Sequence, residues 1–284
     1  MRTKAIIAAA IWFACLSGPA LGAQDLALFD PDEGIGGYVG PLVPIDQPVV
    51  LAWQPRTGII GTVETLSLLP DDEEESIVTT FTGAVTAERG GLNRRFAVSE
   101  LSVNGHHITA TQPLVVIQGW SDIHGGNVRD LKVSFPGFVE VDIAPPVPGT
   151  PQHQLWIDTF GADLAYTKGA IATNQSVFEE GSYHRLLEAQ ARSVIGNPEG
   201  EIIENTFMTR AKGLSPNGGA LVAELTGRIE VRSGADRLIM ESHGFGLIDL
   251  QSGLSSGTSR TLITAIRGGR EVQRTVIVDV QYLN

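Results

Sequence analysis

Residues 221–231 read Leu-Val-Ala-Glu-Leu-Thr-Gly-Arg-Ile-Glu-Val and alternate between two kinds of side chain. One set is apolar or small, namely Leu221, Ala223, Leu225, Gly227, Ile229 and Val231. The other set is polar or charged after its first residue, namely Val222, Glu224, Thr226, Arg228 and Glu230. Because successive side chains of a strand point to opposite faces, this period of two predicts a half-buried β-strand.

The same alternation recurs through most of the chain. It predicts further strands near residues 47–53, 57–68, 76–88, 94–103, 108–118, 131–135, 139–143, 201–212, 235–250, 260–267 and 271–283. Turn sequences such as Asn104-Gly105, Ser233-Gly234 and Gly268-Gly269 separate them and suit antiparallel hairpins. We therefore predict an all-β protein with an extensively curved antiparallel sheet, in the form of a barrel, a half-barrel or paired sandwiches.

One segment departs from this pattern. Leu186, Leu187, Ala191 and Val194 have helical spacing, and they predict one short helix over 183–195 that ends at Gly196. An earlier start is disfavoured by the Gly-Ser pair at 181–182.

A proline-rich connector over residues 145–151 is the clearest internal boundary. Proline at this density excludes a central strand. It predicts a β-rich N-terminal half over residues 23–144 and a β-rich C-terminal half over residues 152–284, the second containing the helix.

The first residues have the pattern of a secretory signal peptide. Arg2 and Lys4 precede an apolar run over residues 5–16, which is shorter than the roughly 20 residues of a spanning helix. Small residues follow, so we expect residues 1–22 to be removed, with cleavage after Gly22 or Ala23. Lipidation of Cys15 is the alternative, and the aromatic pair at 12–13 disfavours it. The predicted location is the periplasm, or the medium if the protein is secreted.

Composition limits the possible partners. The chain has a formal net charge of -12 and one cysteine, which lies in the predicted signal peptide. An acidic surface repels phosphates, so nucleic acid is excluded as a partner. A mature chain without cysteine has neither disulfides nor a thiolate metal site. Aromatic residues make up 6% of the chain, which disfavours the aromatic girdles of an outer-membrane barrel. We do not expect an integral membrane protein.

One short motif suggests metal chemistry. Ser121-Asp122-Ile123-His124-Gly125 follows an apolar run, and an Asp and a His two residues apart after a strand can converge on one ion. The segment resembles the first metal-binding motif of the calcineurin-like metallophosphoesterases. That resemblance implies a secreted metal-dependent phosphoesterase, or another hydrolase, using Asp122 and His124. The later motifs of that family are incomplete in this chain, so the sequence favours a hairpin loop here and no bound metal.

Other candidate sites have simpler interpretations. Gly253-Leu254-Ser255-Ser256-Gly257 fits the outline of a nucleophile elbow, but a predicted strand follows it and no histidine does, which indicates a hairpin turn. His106 and His107 should point to opposite faces of a strand, one exposed and one partly buried, and so share no ion. The acidic run 71–75 is interpreted as a solvated loop.

No complete catalytic, cofactor or metal set emerges from these motifs. The sequence therefore favours an exported, non-catalytic, β-rich protein of the cell envelope. Its predicted partner is a lipid or another apolar or amphipathic ligand, or else an envelope protein, and no cofactor is expected.

Overall fold

The computed structural model describes residues 29–30, 37–38, 40–52, 59–68, 74–88, 91–103, 106–107, 114–120, 128–134, 147–155, 165–253 and 255–283. Its strands are β1 (Phe29–Asp30), β2 (Gly37–Tyr38), β3 (Val49–Val50), β4 (Ile59–Leu68), β5 (Glu74–Glu88), β6 (Gly91–Val103), β7 (His106–His107), β8 (Leu114–Trp120), β9 (Val128–Ser134), β10 (Ala170–Ile171), β11 (Glu201–Asn205), β12 (Met208–Leu214), β13 (Ala220–Ser233), β14 (Asp236–Asp249), β15 (Ser255–Arg267) and β16 (Arg270–Leu283). The helix α1 spans Glu180–Ile195.

Twelve of these strands form one antiparallel sheet. Its order is β11-β13-β14-β15-β16-β4-β5-β6-β8-β9, while β12 also pairs with β13 and β7 pairs with β6. Within the described part of the chain the sheet is open, since β11 and β9 lie at its two ends. The predicted fold class, an extensively curved antiparallel sheet with one short helix, is confirmed, and the sheet does not close into a barrel.

Glycine turns set the hairpin geometry. Gly268 and Gly269 join β15 to β16 with φ values of 56° and 78°. Positive φ at both central positions is typical of a type I′ turn, whose twist matches that of the paired strands. Gly234, with φ of 61°, begins the turn from β13 to β14. The sequence prediction of a hairpin at each of these two turns is confirmed.

The sheet runs through both predicted halves of the chain. β16, in the C-terminal half, pairs with β4, in the N-terminal half, from Thr275↔Leu68 to Leu283↔Ile60. Between the halves, Val147 is 71% exposed, and one helical turn follows over residues 151–155. Thr150 Oγ1 accepts a hydrogen bond from the backbone N–H of His153 at 3.2 Å and so caps this turn. The division into two halves stays a prediction from the sequence.

The helix ends as predicted and begins earlier. Gly196 adopts the left-handed conformation with φ of 78°, and its N–H bonds back to the carbonyl of Arg192, as expected at a helix C-terminus. The predicted start at Tyr183 is wrong, because α1 begins at Glu180. The backbone N–H of Glu179 is bonded to the carbonyl of Ala165 at 2.8 Å, which fixes the chain just before the first turn.

The helix packs on one face of the sheet. Leu187 and Ala191 contact a cluster of buried residues from β13, β14 and the preceding loop: Phe207, Ile229, Val231, Leu238 and Met240. A second cluster on this face joins Leu51, Tyr166, Ile171 and Val177 to sheet residues including Leu221 and Ile248. On the opposite face, Ala220, Val222 and Leu247 are also buried. The half-buried prediction for β13 therefore fails at its first residues, where apolar neighbours cover both faces.

The predicted strand over residues 201–212 is broken into β11 and β12. Both pieces pair with β13, β11 with its end and β12 with its beginning. Thr206 and Phe207 lie between them, and Phe207 is 3% exposed. Phe207 packs directly against Gly227, the one position of β13 near it that has no side chain. The register with β13 is the same on both sides, and the N–H of Thr206 still donates to the carbonyl of Arg228 at 2.9 Å. The interruption is therefore local and lies where Phe207 packs on this glycine.

Three other sequence predictions have different outcomes. His106 and His107 are both exposed in β7, so the prediction of one partly buried ring is wrong. This two-residue strand pairs with the end of β6. Asp122 and His124 lie outside the described residues, as does the predicted strand 139–143.

None of the helices in the described ranges has the length and apolar character needed to cross a membrane.

Candidate ligand-binding groove

An open groove lies where the start of α1, the start of β12 and the segment before α1 diverge. Its volume is about 890 Å³. The lining side chains come from two stretches of chain. The first is Thr167, Lys168, Asn174, Ser176, Phe178, Glu179 and His184, and the second is Asn205, Thr206, Phe207, Met208, Thr209 and Arg210. Irregular segments and the broken strand edge therefore provide most of its surface.

One wall is built from extended segments added to the edge of β12. The N–H of Val177 donates to the carbonyl of Thr209 at 2.9 Å, and the N–H of Ala211 donates to the carbonyl of Gln175 at 2.9 Å. Next to them, the N–H of Thr167 donates to the carbonyl of Val177 at 2.9 Å. These bonds satisfy the edge of β12 and hold two extended segments beside it, which fixes this wall of the groove.

The apolar part of the lining is aromatic and rigid. The ring of Phe178 stacks on Tyr166 with ring centroids 5.3 Å apart, and Tyr166 is itself buried and donates from its hydroxyl to the carbonyl of Gly253. Phe207 is buried against Gly227. Because both rings are anchored in the core, the apolar lining is preformed rather than assembled by a ligand.

Polar contacts tie the helix to the break between β11 and β12. The carbonyl of Phe207 lies 3.0 Å from His184 Nε2, so this ring nitrogen must be the donor. Asn205 Nδ2 donates to Glu188 Oε1 at 3.3 Å, and Asn205 Oδ1 accepts from the N–H of Phe207 at 3.4 Å. These bonds satisfy polar groups of Asn205 and Phe207. His184 thereby holds the start of α1 against the segment between β11 and β12.

The rim of the groove combines an exposed thioether with a cation. Met208 is 37% exposed, and Arg210 Nε donates to Met208 Sδ at 3.1 Å. A flexible, polarizable thioether is suited to contacts with apolar ligands of varied shape. The groove thus combines three apolar side chains with polar and charged ones.

Catalytic chemistry finds little support in the described residues. They contain no group of three His, Cys, Asp or Glu side chains that could hold a metal ion. Ser255 begins β15 and is paired with Ile248 in a hairpin, whereas a nucleophile elbow must lead from a strand into a helix. The predicted hairpin is present, but the prediction of a turn over Gly253–Gly257 is wrong for Ser255, Ser256 and Gly257, which pair with β14 as the first residues of β15. The hydrolase alternative built on Asp122 and His124 stays a prediction.

Charged residues on the opposite face of the sheet serve the fold. Glu224 lies 2.9 Å from Lys212 Nζ and 3.0 Å from His243 Nε2. Burial raises the pKa of Glu224, but the hydrogen bonds from Lys212 and His243 outweigh it, and the net pKa is lowered. These partners satisfy one another across neighbouring strands and belong to the sheet rather than to the groove.

Comparisons with known proteins add little to this geometry. No protein-family model matches the chain, and neither does any curated protein. A LolA superfamily protein from Nitrosomonas europaea shares 10% identity at a TM-score of 0.20, over 82% of this chain and 88% of that chain. DynF from the dynemicin biosynthesis pathway of Micromonospora chersina shares 8% identity at a TM-score of 0.20, over 89% of this chain and 94% of that chain. Likeness at this level assigns neither a family nor a function. The fold and the groove define a β-rich protein with one open, curved sheet.

Proposed function

We propose that this protein is an exported, non-catalytic binding protein of the cell envelope that holds an amphipathic ligand in the groove. The observation that carries the proposal is the pairing of an anchored aromatic lining with a polar rim in a volume of about 890 Å³. Ligand sites typically span roughly 300 to 1,000 Å³ and are mainly apolar with a few placed polar groups.

The lining offers contacts to both the apolar part and the polar part of an amphipathic ligand. Phe178 and Met208 offer apolar surface to an alkyl or aromatic group. Asn174 and Ser176 offer polar contacts at the rim. Burying apolar ligand surface contributes about 25 cal/mol per Å², so a chain of a dozen carbons could bind without any charged contact.

A titration tests the proposal. We expect the mature, delipidated protein to bind dodecyl maltoside below its micelle concentration at one molecule per chain. Met208→Glu should weaken this binding at least about tenfold, because the new carboxylate must be desolvated against the alkyl chain. Isothermal titration calorimetry measures the affinity.

Val272→Glu provides the matched control. Val272 is a strand residue of the same sheet that is 43% exposed, against 37% for Met208, and it does not line the groove. Its affinity should stay within about twofold of the wild type. Absence of saturable binding by the wild-type protein, or equal losses in both variants, would contradict the proposal.

Export is the second part of the proposal and has its own test. The sequence of residues 1–22 supports removal of a signal peptide, so the mature chain should begin at Ala23 or Gln24 and be released by osmotic shock. Intact-mass spectrometry of the released protein measures the start site. Retention of residues 1–22, or a lipid adduct on Cys15, would contradict this prediction.

A further inference from the structure

Arg210 places a positioned cation at the rim of the groove. It is an exposed residue of β12, and its Nε is hydrogen-bonded to the Met208 sulfur at 3.1 Å. This contact places the guanidinium beside an apolar side chain. The terminal nitrogens of the same planar group are suited to binding a carboxylate or a phosphate with two parallel hydrogen bonds.

Nearby cations of the same sheet are already neutralised. Lys212, two residues further along β12, pairs with Glu224 at 2.9 Å. Arg228 on β13 contacts Glu204 and lies 3.0 Å from Glu230. Across the ranges that the structure describes, Arg210 forms no such ion pair. Its charge is therefore available to a bound anion.

The charge of the groove differs in sign from that of the chain. Its lining contains two basic side chains, Lys168 and Arg210, and one acidic side chain, Glu179, in a protein of net charge -12. Glu224 lies opposite Arg210 on β13, but its carboxylate is bound by Lys212 and His243. Arg210 therefore remains the cation at the rim that can attract a bound anion.

We propose that the groove selects anionic amphiphiles, with Arg210 binding the acid group while Met208 and the aromatic lining contact the chain. This inference rests on the proposed function and adds the class of ligand. The ligand has a carboxylate or a phosphate head on an alkyl tail. The head group stays at the wet rim, where its desolvation cost is small, and the tail enters the apolar groove.

The test compares ligands that share one tail. Calorimetry with laurate, dodecyl phosphate and dodecyl maltoside, each below its micelle concentration, should show the two anions binding about tenfold more tightly than the neutral glycoside. Arg210→Gln should remove that preference, so that the ratio of laurate affinity to dodecyl maltoside affinity measured on the variant itself falls from about ten to about one. Arg270→Gln is the control, because Arg270 is an exposed arginine of β16 outside the groove.

Further arms separate the possible outcomes. The preference for anions should shrink as salt is raised, since the rim is exposed to solvent. Inorganic phosphate alone should bind far more weakly than dodecyl phosphate, and equal binding would indicate a phosphate site and overturn the inference. Equal affinity for charged and neutral ligands, unchanged in Arg210→Gln, would overturn the inference and leave the proposed function intact. Failure of all three alkyl ligands to bind would contradict the proposed function itself.

Discussion

Replacing Gly227 with alanine should lower the free energy of unfolding by about 3 kcal/mol. A methyl group at this position would lie 2.7 Å from Phe207 Cγ and 2.8 Å from the backbone nitrogen of Phe207. The backbone atoms cannot move aside without displacing the break between β11 and β12. Urea denaturation of the wild type and the variant measures the change.

Gly246→Ala is the matched control for this prediction. Gly246 also lies inside a long strand, β14, but the nearest atom to an added methyl group is the carbonyl oxygen of Ser256 at 3.6 Å. We expect a change of less than about 1 kcal/mol in either direction, because alanine also restricts the unfolded chain. Equal destabilisation of the two variants would contradict the view that Phe207 requires a glycine opposite it.

Replacing Glu230 with glutamine should lower the free energy of unfolding by about 2 kcal/mol at neutral pH. Glu230 is 4% exposed. Arg237 contacts both of its carboxylate oxygens, through Nε at 2.6 Å and a terminal nitrogen at 2.7 Å, and Arg228 adds a bond of 3.0 Å. Glutamine leaves these two cations without their shared carboxylate. Glu241→Gln is the control, because the Glu241 side chain is 52% exposed and lies 3.5 Å from Arg228, and should change stability by less than about 0.5 kcal/mol.

The same carboxylate gives the Glu230 prediction a pH dependence. The hydrogen bonds from Arg237, with further bonds from Arg228, hold the pKa of Glu230 below the usual 4.5 despite its burial. A lowered pKa stabilises the folded state fully above the unfolded-state pKa, and this contribution is lost as the pH falls through the folded-state pKa. The stability difference between wild type and Glu230→Gln should therefore be largest at pH 7 and shrink below about pH 4. A difference that does not change with pH would contradict this assignment.

Regular structure was predictable because it depends on neighbours in sequence. The alternation over residues 221–231 identified β13, and the Gly-Gly pair at 268–269 identified a hairpin. The end of α1 followed from Gly196, whose left-handed conformation stops the helix. The start of α1 was missed, because the backbone bond from Glu179 to Ala165 depends on tertiary structure and leaves no local signal.

The groove was not predictable by the same means. Its lining residues lie between positions 167 and 210, and most belong to irregular segments that carry no periodic pattern. Thr206 and Phe207 also fit a continuous strand in sequence, and the interruption lies where Phe207 packs on Gly227. The available signals were a large aromatic residue, Phe207, and an isolated glycine in a strong strand pattern, Gly227. Sequence alone does not show that these two residues are in contact.

Photoaffinity labelling tests most directly whether the ligand occupies the groove. An alkyl glucoside with a diazirine in its chain would be irradiated with the mature protein, and labelled peptides would be identified by mass spectrometry. We predict saturable labelling within residues 165–184 and 205–210, which contain the groove lining, and loss of that labelling when dodecyl maltoside competes. Labelling that is concentrated in residues 255–283, or that dodecyl maltoside does not displace, would contradict the groove as the binding site.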